Sequence, residues 1–332
     1  MTSENNKYEM TLEFSKNDIK NIESKLFDII DKKDWEINLP NGKLYDVFSN
    51  FVTNLLKLCY AYGYIYYYDS DRKSAIQSEA TFPGCPTVPS DNAVFALFNL
   101  RINVPRKGIF YCLFERNTNK IGGQNEWIFK GLNSTYKCDE WYNILNDLRN
   151  VSDFWKQAEK KIKPKPINIE ENSYDIPYYI NHFFNNNCSR LERFLPNKVR
   201  SILKDYNDDN NNEAVKLIVE EFICWNIKSI KEDEKIISWN VKDLLKASEE
   251  CNEITLSQLN YLYPFRFNEV ICGAMVIRTT SNNNEPILKT ILDLKQAYVG
   301  AKLYNPNFRS EWLTIDNVNK AIKLGCIENL NF

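Results

Sequence analysis

The chain has one histidine, His182, in 332 residues. That single count excludes any zinc centre built on two or three imidazoles. It also confines a Ser-His-Asp triad or a histidine general base to position 182. The nine cysteines are an odd set scattered from Cys59 to Cys326, with no Cys-x-x-Cys pair among them. Thiols without metal-ligand spacing fit buried, reduced side chains in a cytosol-like compartment. The ten glycines are few for this length, so loops that need positive φ should be scarce. Neither Gly-x-x-x-x-Gly-Lys-Ser/Thr nor Gly-x-Gly-x-x-Gly occurs, which removes the common phosphate-cradling turns. No apolar run has the length of a bilayer span. The polar opening Met1 to Tyr8 lacks the apolar centre of a secretory leader. The expectation is a soluble cytoplasmic protein with no cofactor, no metal site and no membrane partner.

What is present is core material: 43% hydrophobic and 14% aromatic residues. The 42 basic and 44 acidic side chains leave a net charge of −2. Net charge therefore cannot drive polyanion binding, although a local basic site can. Carboxylates are mixed evenly with lysine, and no acid–base pair stands out. Glu115, at the end of the apolar run Ile109 to Phe114, is the carboxylate to watch; a strand-end surface charge is the simpler reading of it.

Periodicity predicts a helix over 15–32, with Ser15 as cap and Ile19, Ile22, Leu26 and Ile30 at helical spacing. A second is predicted over 44–62, with Leu44, Val47, Phe51, Leu55, Leu58 and Tyr62 on one stripe and Gly63 as terminator. Strands are expected at 64–68, 93–102, 108–117 and 126–132, the middle pair as a hairpin around Pro105-Arg106-Lys107. A loop should fill 68–91. Helical patterns return at 139–162 and 176–195. A third covers 213–230, on Ala214, Leu217, Ile218 and Trp225, and a short one 241–247. Strands are predicted at 259–267 and 270–277. The last block reads as strand, turn, strand and a helix over 293–304, stopped at Asn305-Pro306 before Trp312. In that helix Leu294, Ala297, Tyr298 and Ala301 share a face, and Ala301 permits close approach. Lys160-Lys161-Ile162-Lys163-Pro164-Lys165-Pro166 cannot continue a helix and reads as a linker. It separates an N-terminal lobe, 15–163, from a C-terminal lobe, 167–316, or crosses the surface of one continuous domain. Strand runs and helix runs without strict alternation give an α+β fold: a mixed, mainly antiparallel sheet with packed helices and a helical N-terminal segment.

One polar row carries chemistry. Along 176–195 the apolar stripe is set by Phe183, Phe184 and Leu191. On a neighbouring face His182, Asn186, Arg190 and Arg193 recur at offsets of 4, 4 and 3, so they stand in line. Guanidinium forks bind phosphate oxygens bidentately, and an imidazole donates or relays a proton. Asn187 lies towards the core edge of the same helix, and Lys198, Arg200 and Lys204 extend the positive charge. A solvated helix face competes with this reading. The tyrosines at 60, 62, 64, 66, 67 and 68 are dense enough to stack bases, but buried ring bodies with wet hydroxyls explain them more simply.

Several fragments, in order, resemble the uncharacterised family filed as domain of unknown function 3825. They are Phe98-Asn99-Leu100, Leu113-Phe114-Glu115-Arg116-Asn117, Trp127-Ile128-Phe129-Lys130-Gly131, His182 with Asn187 and Arg190, Gln258-Leu259-Asn260-Tyr261-Leu262-Tyr263-Pro264, and Thr290 to Leu313. The resemblance spans about Leu26 to Leu313. It implies an RNA connection only by association, through the modules that accompany the domain in some relatives. The chain departs from the family in its final helix. Lys295, Val299, Gly300 and Lys302 stand where the family carries an aspartate, two asparagines and an arginine. Three functions stay open. One is an RNA- or nucleotide-binding domain using the row at 182–193. Another is a non-catalytic scaffold that binds a protein partner. The third is a phosphoester hydrolase with His182 as acid or base and Arg190 steadying developing charge.

Overall fold

A computed structural model describes residues 16–27, 30, 32–39, 42–44, 46–61, 65–69, 74–77, 93–104, 108–117, 127–134, 212–249, 259–279 and 286–326. In chain order these form α1 (Lys16–Phe27), β1 (Ile37–Leu39), β2 (Gly42–Leu44), α2 (Asp46–Ala61), β3 (Ile65–Asp69), β4 (Ser74–Gln77), β5 (Ala93–Val104), β6 (Gly108–Arg116) and β7 (Trp127–Ser134). Then follow α3 (Asn212–Lys228), β8 (Ile236–Trp239), α4 (Val241–Glu249), β9 (Leu259–Phe267), β10 (Val270–Thr279), β11 (Pro286–Leu292), α5 (Leu294–Tyr304) and α6 (Ile315–Lys323). Helices and antiparallel sheets together make the fold α+β. The chain divides into two compact units. One comprises Met1–Lys32, Phe48–Lys163 and Val241–Ile254; the other comprises Lys33–Val47, Pro164–Asn240 and Thr255–Phe332.

The first unit holds a five-stranded antiparallel sheet in the order β4-β3-β5-β6-β7. The β5–β6 hairpin forms from two apolar-rich runs on either side of Pro105-Arg106-Lys107, with Val104 opposite Gly108. Successive side chains of a strand face opposite sides, yet Phe110 to Phe114 are all buried, so both faces of β6 are covered. Helix α2 buries Phe48, Phe51, Val52, Leu55, Leu56 and Leu58. With Val47, also buried, this band is wider than the predicted stripe and includes Val47, Phe51, Leu55 and Leu58 of it. In α1, Ile22 and Leu26 are buried one turn apart, and the Lys25 ammonium lies 5.4 Å from the centre of the Phe129 ring of β7. Two expectations change. The second helix begins at Asp46, because Leu44 ends the short β1–β2 hairpin and pairs with Ile37. The segment expected as a loop contains β4, which pairs with β3 through Tyr66↔Gln77 to Asp69↔Ser74.

The second unit is built on a four-stranded antiparallel sheet, β11-β10-β9-β8. Buried runs at 259–265 and 272–277 show that both faces of β9 and β10 are covered. A two-residue turn joins these strands, with Phe267 opposite Val270. Its first residue, Asn268, has φ 52, a conformation asparagine tolerates because its short amide bonds locally. Helix α5 is capped by Asp293, whose carboxylate accepts from Gln296 N–H at 2.8 Å, and it stops at Asn305-Pro306. Helix α6, unforeseen from the sequence, braces the β1 edge. Asn319 Oδ1 accepts the Asn38 N–H at 2.7 Å, and its Nδ2 donates to the Glu36 carbonyl at 3.5 Å. Trp312 is buried and donates its indole N–H to the Glu234 carbonyl at 2.7 Å, which plugs the end of the sheet beside β8.

Helix α3 corrects the expected stripe. It buries Ile223, Asn226 and Ile227, while Leu217, Ile218 and Trp225 are 60%, 62% and 50% exposed. Apolar residues occur on every side of this helix, so spacing alone does not select the buried face.

Close approach of α5 to β8 falls to Gly300. A Cβ there would stand 3.0 Å from the Trp239 carbonyl oxygen and 3.4 Å from Ser238 Cβ. Backbone cannot swing aside as a side-chain tip does. Gly300→Ala is therefore expected to cost about 1–3 kcal/mol through overpacking, despite the better helix propensity of alanine. Equilibrium urea unfolding measures it; a gain in stability would show that the helix shifts freely.

Candidate functional site

The residues first expected to bind ligand, His182, Asn186, Asn187, Arg190 and Arg193, lie outside the described residues. So do the linker at 160–166 and the helical pattern at 139–162. Glu115, watched as a carboxylate, forms a surface ion pair with Lys130 on the neighbouring strand, an exposed arrangement of small energetic weight. Among the described residues no group of three or more His, Cys, Asp or Glu side chains could hold a metal ion.

The most unusual polar group in the described chain is Lys302, on α5. Nine of the eleven residues of this helix are buried, Lys295 and Lys302 among them, so its lysines cannot all reach water. Lys302 is 5% exposed. Its ammonium lies 5.5 Å from the Trp35 ring centre, 5.4 Å from Tyr298 and 5.1 Å from Phe308. Tyr298 reaches it from one helical turn earlier, Phe308 from the segment after Asn305-Pro306, and Trp35 from the residues before β1. The rings also meet one another, Trp35 edge-on to Tyr298 at 6.0 Å and Tyr298 to Phe308 at 5.5 Å. Lys302 Nζ donates to the Pro306 carbonyl at 3.2 Å. The Tyr298 hydroxyl donates to the Asp34 carbonyl at 2.7 Å.

This is an aromatic box, the device that holds cations by the negative faces of rings, and its occupant is the protein's own side chain. Burial pushes the Lys302 ammonium below the ordinary lysine range. The Asp34 charge opposes that fall and Arg309 adds to it. Burial likewise pushes the Tyr298 phenol up, with the Asp34 charge in the same direction. Chemically the box is a joint. It ties residues 34–35 to α5 and to the segment at 306–308 through one cation. The sequence signal was a lysine one residue past Ala301 and close to the helix stop at Asn305-Pro306. The rings that surround it come from three separate stretches, at Trp35, Tyr298 and Phe308.

No protein-family model, no curated protein and no solved structure matches this chain.

Proposed function

We propose that the protein binds RNA or a nucleotide in the cytoplasm through the row His182, Asn186, Arg190 and Arg193, with Asn187 beside it. One observation carries the reading: the 4, 4, 3 spacing would, on the helix expected over 176–195, set an imidazole, an amide and two guanidinium groups in line, a set suited to phosphate oxygens. The likeness to the family described above supports it by association. A net charge of −2 makes such binding local, so few phosphates are contacted and the salt dependence is shallow.

The test is fluorescence anisotropy with a labelled short single-stranded RNA across a salt series, and a thermal-shift screen of mononucleotides. Affinity falls as salt rises. Arg190→Ala with Arg193→Ala weakens binding about tenfold or more and lowers the slope of log K against log salt by roughly 2. Binding that ignores salt, or survives the double change, sinks the reading.

A second reading, a protein-interaction scaffold, is favoured by the exposed Leu217, Ile218 and Trp225 of α3. Exposed large apolar residues grouped on one helix mark binding faces more often than chance. It expects no nucleotide or RNA to move the Tm.

A further inference from the structure

Two cysteines of the second unit face one another. Cys272 Sγ and Cys326 Sγ are 3.5 Å apart, both side chains are fully buried, and 54 positions of sequence separate them. Each is aimed by a backbone feature of its own. Cys272 is the extra residue of a β-bulge in β10, where Ile271 faces Arg266 and Gly273 faces Phe265. A bulge re-aims the side chain at its position. Cys326 follows the end of α6 in a Schellman cap. Gly325 N–H donates to the Ile322 carbonyl and Cys326 N–H to the Ala321 carbonyl, each at 2.9 Å. Gly325 has φ 72, which glycine adopts without the Cβ penalty. The cap places residue 326 against the helix it has just left, and the bulge delivers Cys272 to the same point.

We propose that Cys272 and Cys326 are an oxidisable pair whose disulfide fastens the capped end of α6 to β10, and that low-molecular-mass disulfides are its oxidant. A bond of about 2.05 Å needs the two sulfurs to close by about 1.5 Å. Side-chain rotation at a helix cap supplies this more readily than a shift of the sheet. The chemistry is two exchanges. The Cys326 thiolate attacks one sulfur of the small disulfide, giving a mixed disulfide and one small thiol. The Cys272 thiolate then attacks the Cys326 sulfur and expels the second small thiol. Two protein thiols and one disulfide become one protein disulfide and two small thiols, and the two protein protons pass through water to the leaving thiolates.

The hydrogen bond to Cys326, and then burial, push the Cys272 thiol well above the ordinary cysteine range. Since the thiolate is the nucleophile, the closed pair is inert. Reaction proceeds when the cap at 324–326 opens and lets water in. The link closes slowly in a reducing compartment and faster when the poise turns oxidising.

The experiment incubates the full-length protein with oxidised and reduced glutathione at fixed ratios. It is then quenched in acid, alkylated, digested without reduction and mapped by mass spectrometry. The expected result is a linked peptide pair containing Cys272 and Cys326, and a Tm higher by roughly 5–10 °C that reverts on reduction. Cys326→Ser should lose both the linked pair and the Tm gain. Recovery of Cys272 and Cys326 only as separate thiols or glutathione adducts overturns the proposal. A Tm gain that persists in Cys326→Ser does the same, because another pair is then responsible. Should Cys326→Ser fail to fold, the peptide map of the unsubstituted protein decides by itself.

Discussion

Asn226→Ala is expected to lower stability by about 2–4 kcal/mol, seen as a fall in the urea midpoint at constant m. The size follows from where the amide sits. β8 pairs with β9 only from Ile236↔Leu262 to Trp239↔Leu259, so the outer edge of β9 continues past Leu262 without that strand. At Arg266 the side chain of Asn226 replaces it. Its Oδ1 accepts the Arg266 N–H at 2.7 Å and its Nδ2 donates to the Arg266 carbonyl at 3.1 Å. Nδ2 also donates to the Phe222 carbonyl at 3.1 Å, within its own helix. Asn226 is fully buried. Truncation removes a primary amide and leaves both backbone groups of Arg266 without that partner in a place poor in water. Burial left unsatisfied costs more than a hydrogen bond contributes. Neighbours hold the same corner: Phe222 packs edge-on to Phe265 and Phe267, and Glu234 grips the Arg266 guanidinium with both oxygens. These keep α3 near β9 after truncation, so the loss should appear as local exposure. Amide hydrogen exchange checks it directly. If the Arg266 N–H keeps its full protection in Asn226→Ala, the amide is not the group that covers this edge.

What could be read from the sequence divides along the range of the forces involved. Strands β5, β6, β9 and β10 and helices α2 and α5 follow from residues within one or two turns of each other. Continuous apolar runs, the stop at Asn305-Pro306 and the Asp293 cap are all local signals. Most of the elements missed are those whose identity is set by a distant partner; α6 is the exception, since its Thr314 cap and the spacing of Ile315, Val318 and Ile322 are local. β1 and β2 are three residues each, too short to show a period, and β1 is held by Asn319, almost the whole chain away. β8, at Ile236 to Trp239, follows directly on a three-residue helical turn, Glu232–Glu234, and only its pairing with β9 makes it a strand. The wrong stripe on α3 has the same origin. Leu217, Ile218 and Trp225 look like core by type, whereas Asn226 looks like surface; the buried side is chosen by an unpaired strand edge that wants an amide. The box around Lys302 was not read from the sequence: Trp35 lies far away along the chain and no spacing rule links the two.

Lys302→Glu is expected to be the most damaging single change in the second unit, about 4 kcal/mol or more, while Lys302→Met stays within about 1.5 kcal/mol of the parent. The contrast separates charge from shape. Bringing an ammonium out of water costs several kcal/mol. Three ring faces, the Pro306 carbonyl and the Asp34 charge return an amount of similar size, each face contributing about 0.5–2 kcal/mol. A methionine keeps the stem between the rings, discards both sides of that balance and leaves the Pro306 carbonyl without this donor, so the net change is small. A glutamate keeps the burial cost and turns the ring faces from attractive to repulsive.

The pH dependence tests the same balance. The folded-state pKa of Lys302 is depressed by burial. Between that value and the ordinary lysine value the unfolded chain therefore binds more protons than the folded one. Stability contributed by this group rises with pH across that alkaline window. It is fully present above the unfolded value and is lost as pH falls through the folded value. Tyr298 acts oppositely, since its raised pKa gives stability that is present below the ordinary tyrosine value and is lost as pH rises through the folded one. The parent and Lys302→Met both retain Tyr298, so its effect largely cancels in the difference between them. That difference, taken from urea unfolding at steps from neutral to alkaline pH, should shift towards the lysine protein as pH rises. A flat difference would mean that the ammonium is effectively solvated, and the box around it would then be packing alone.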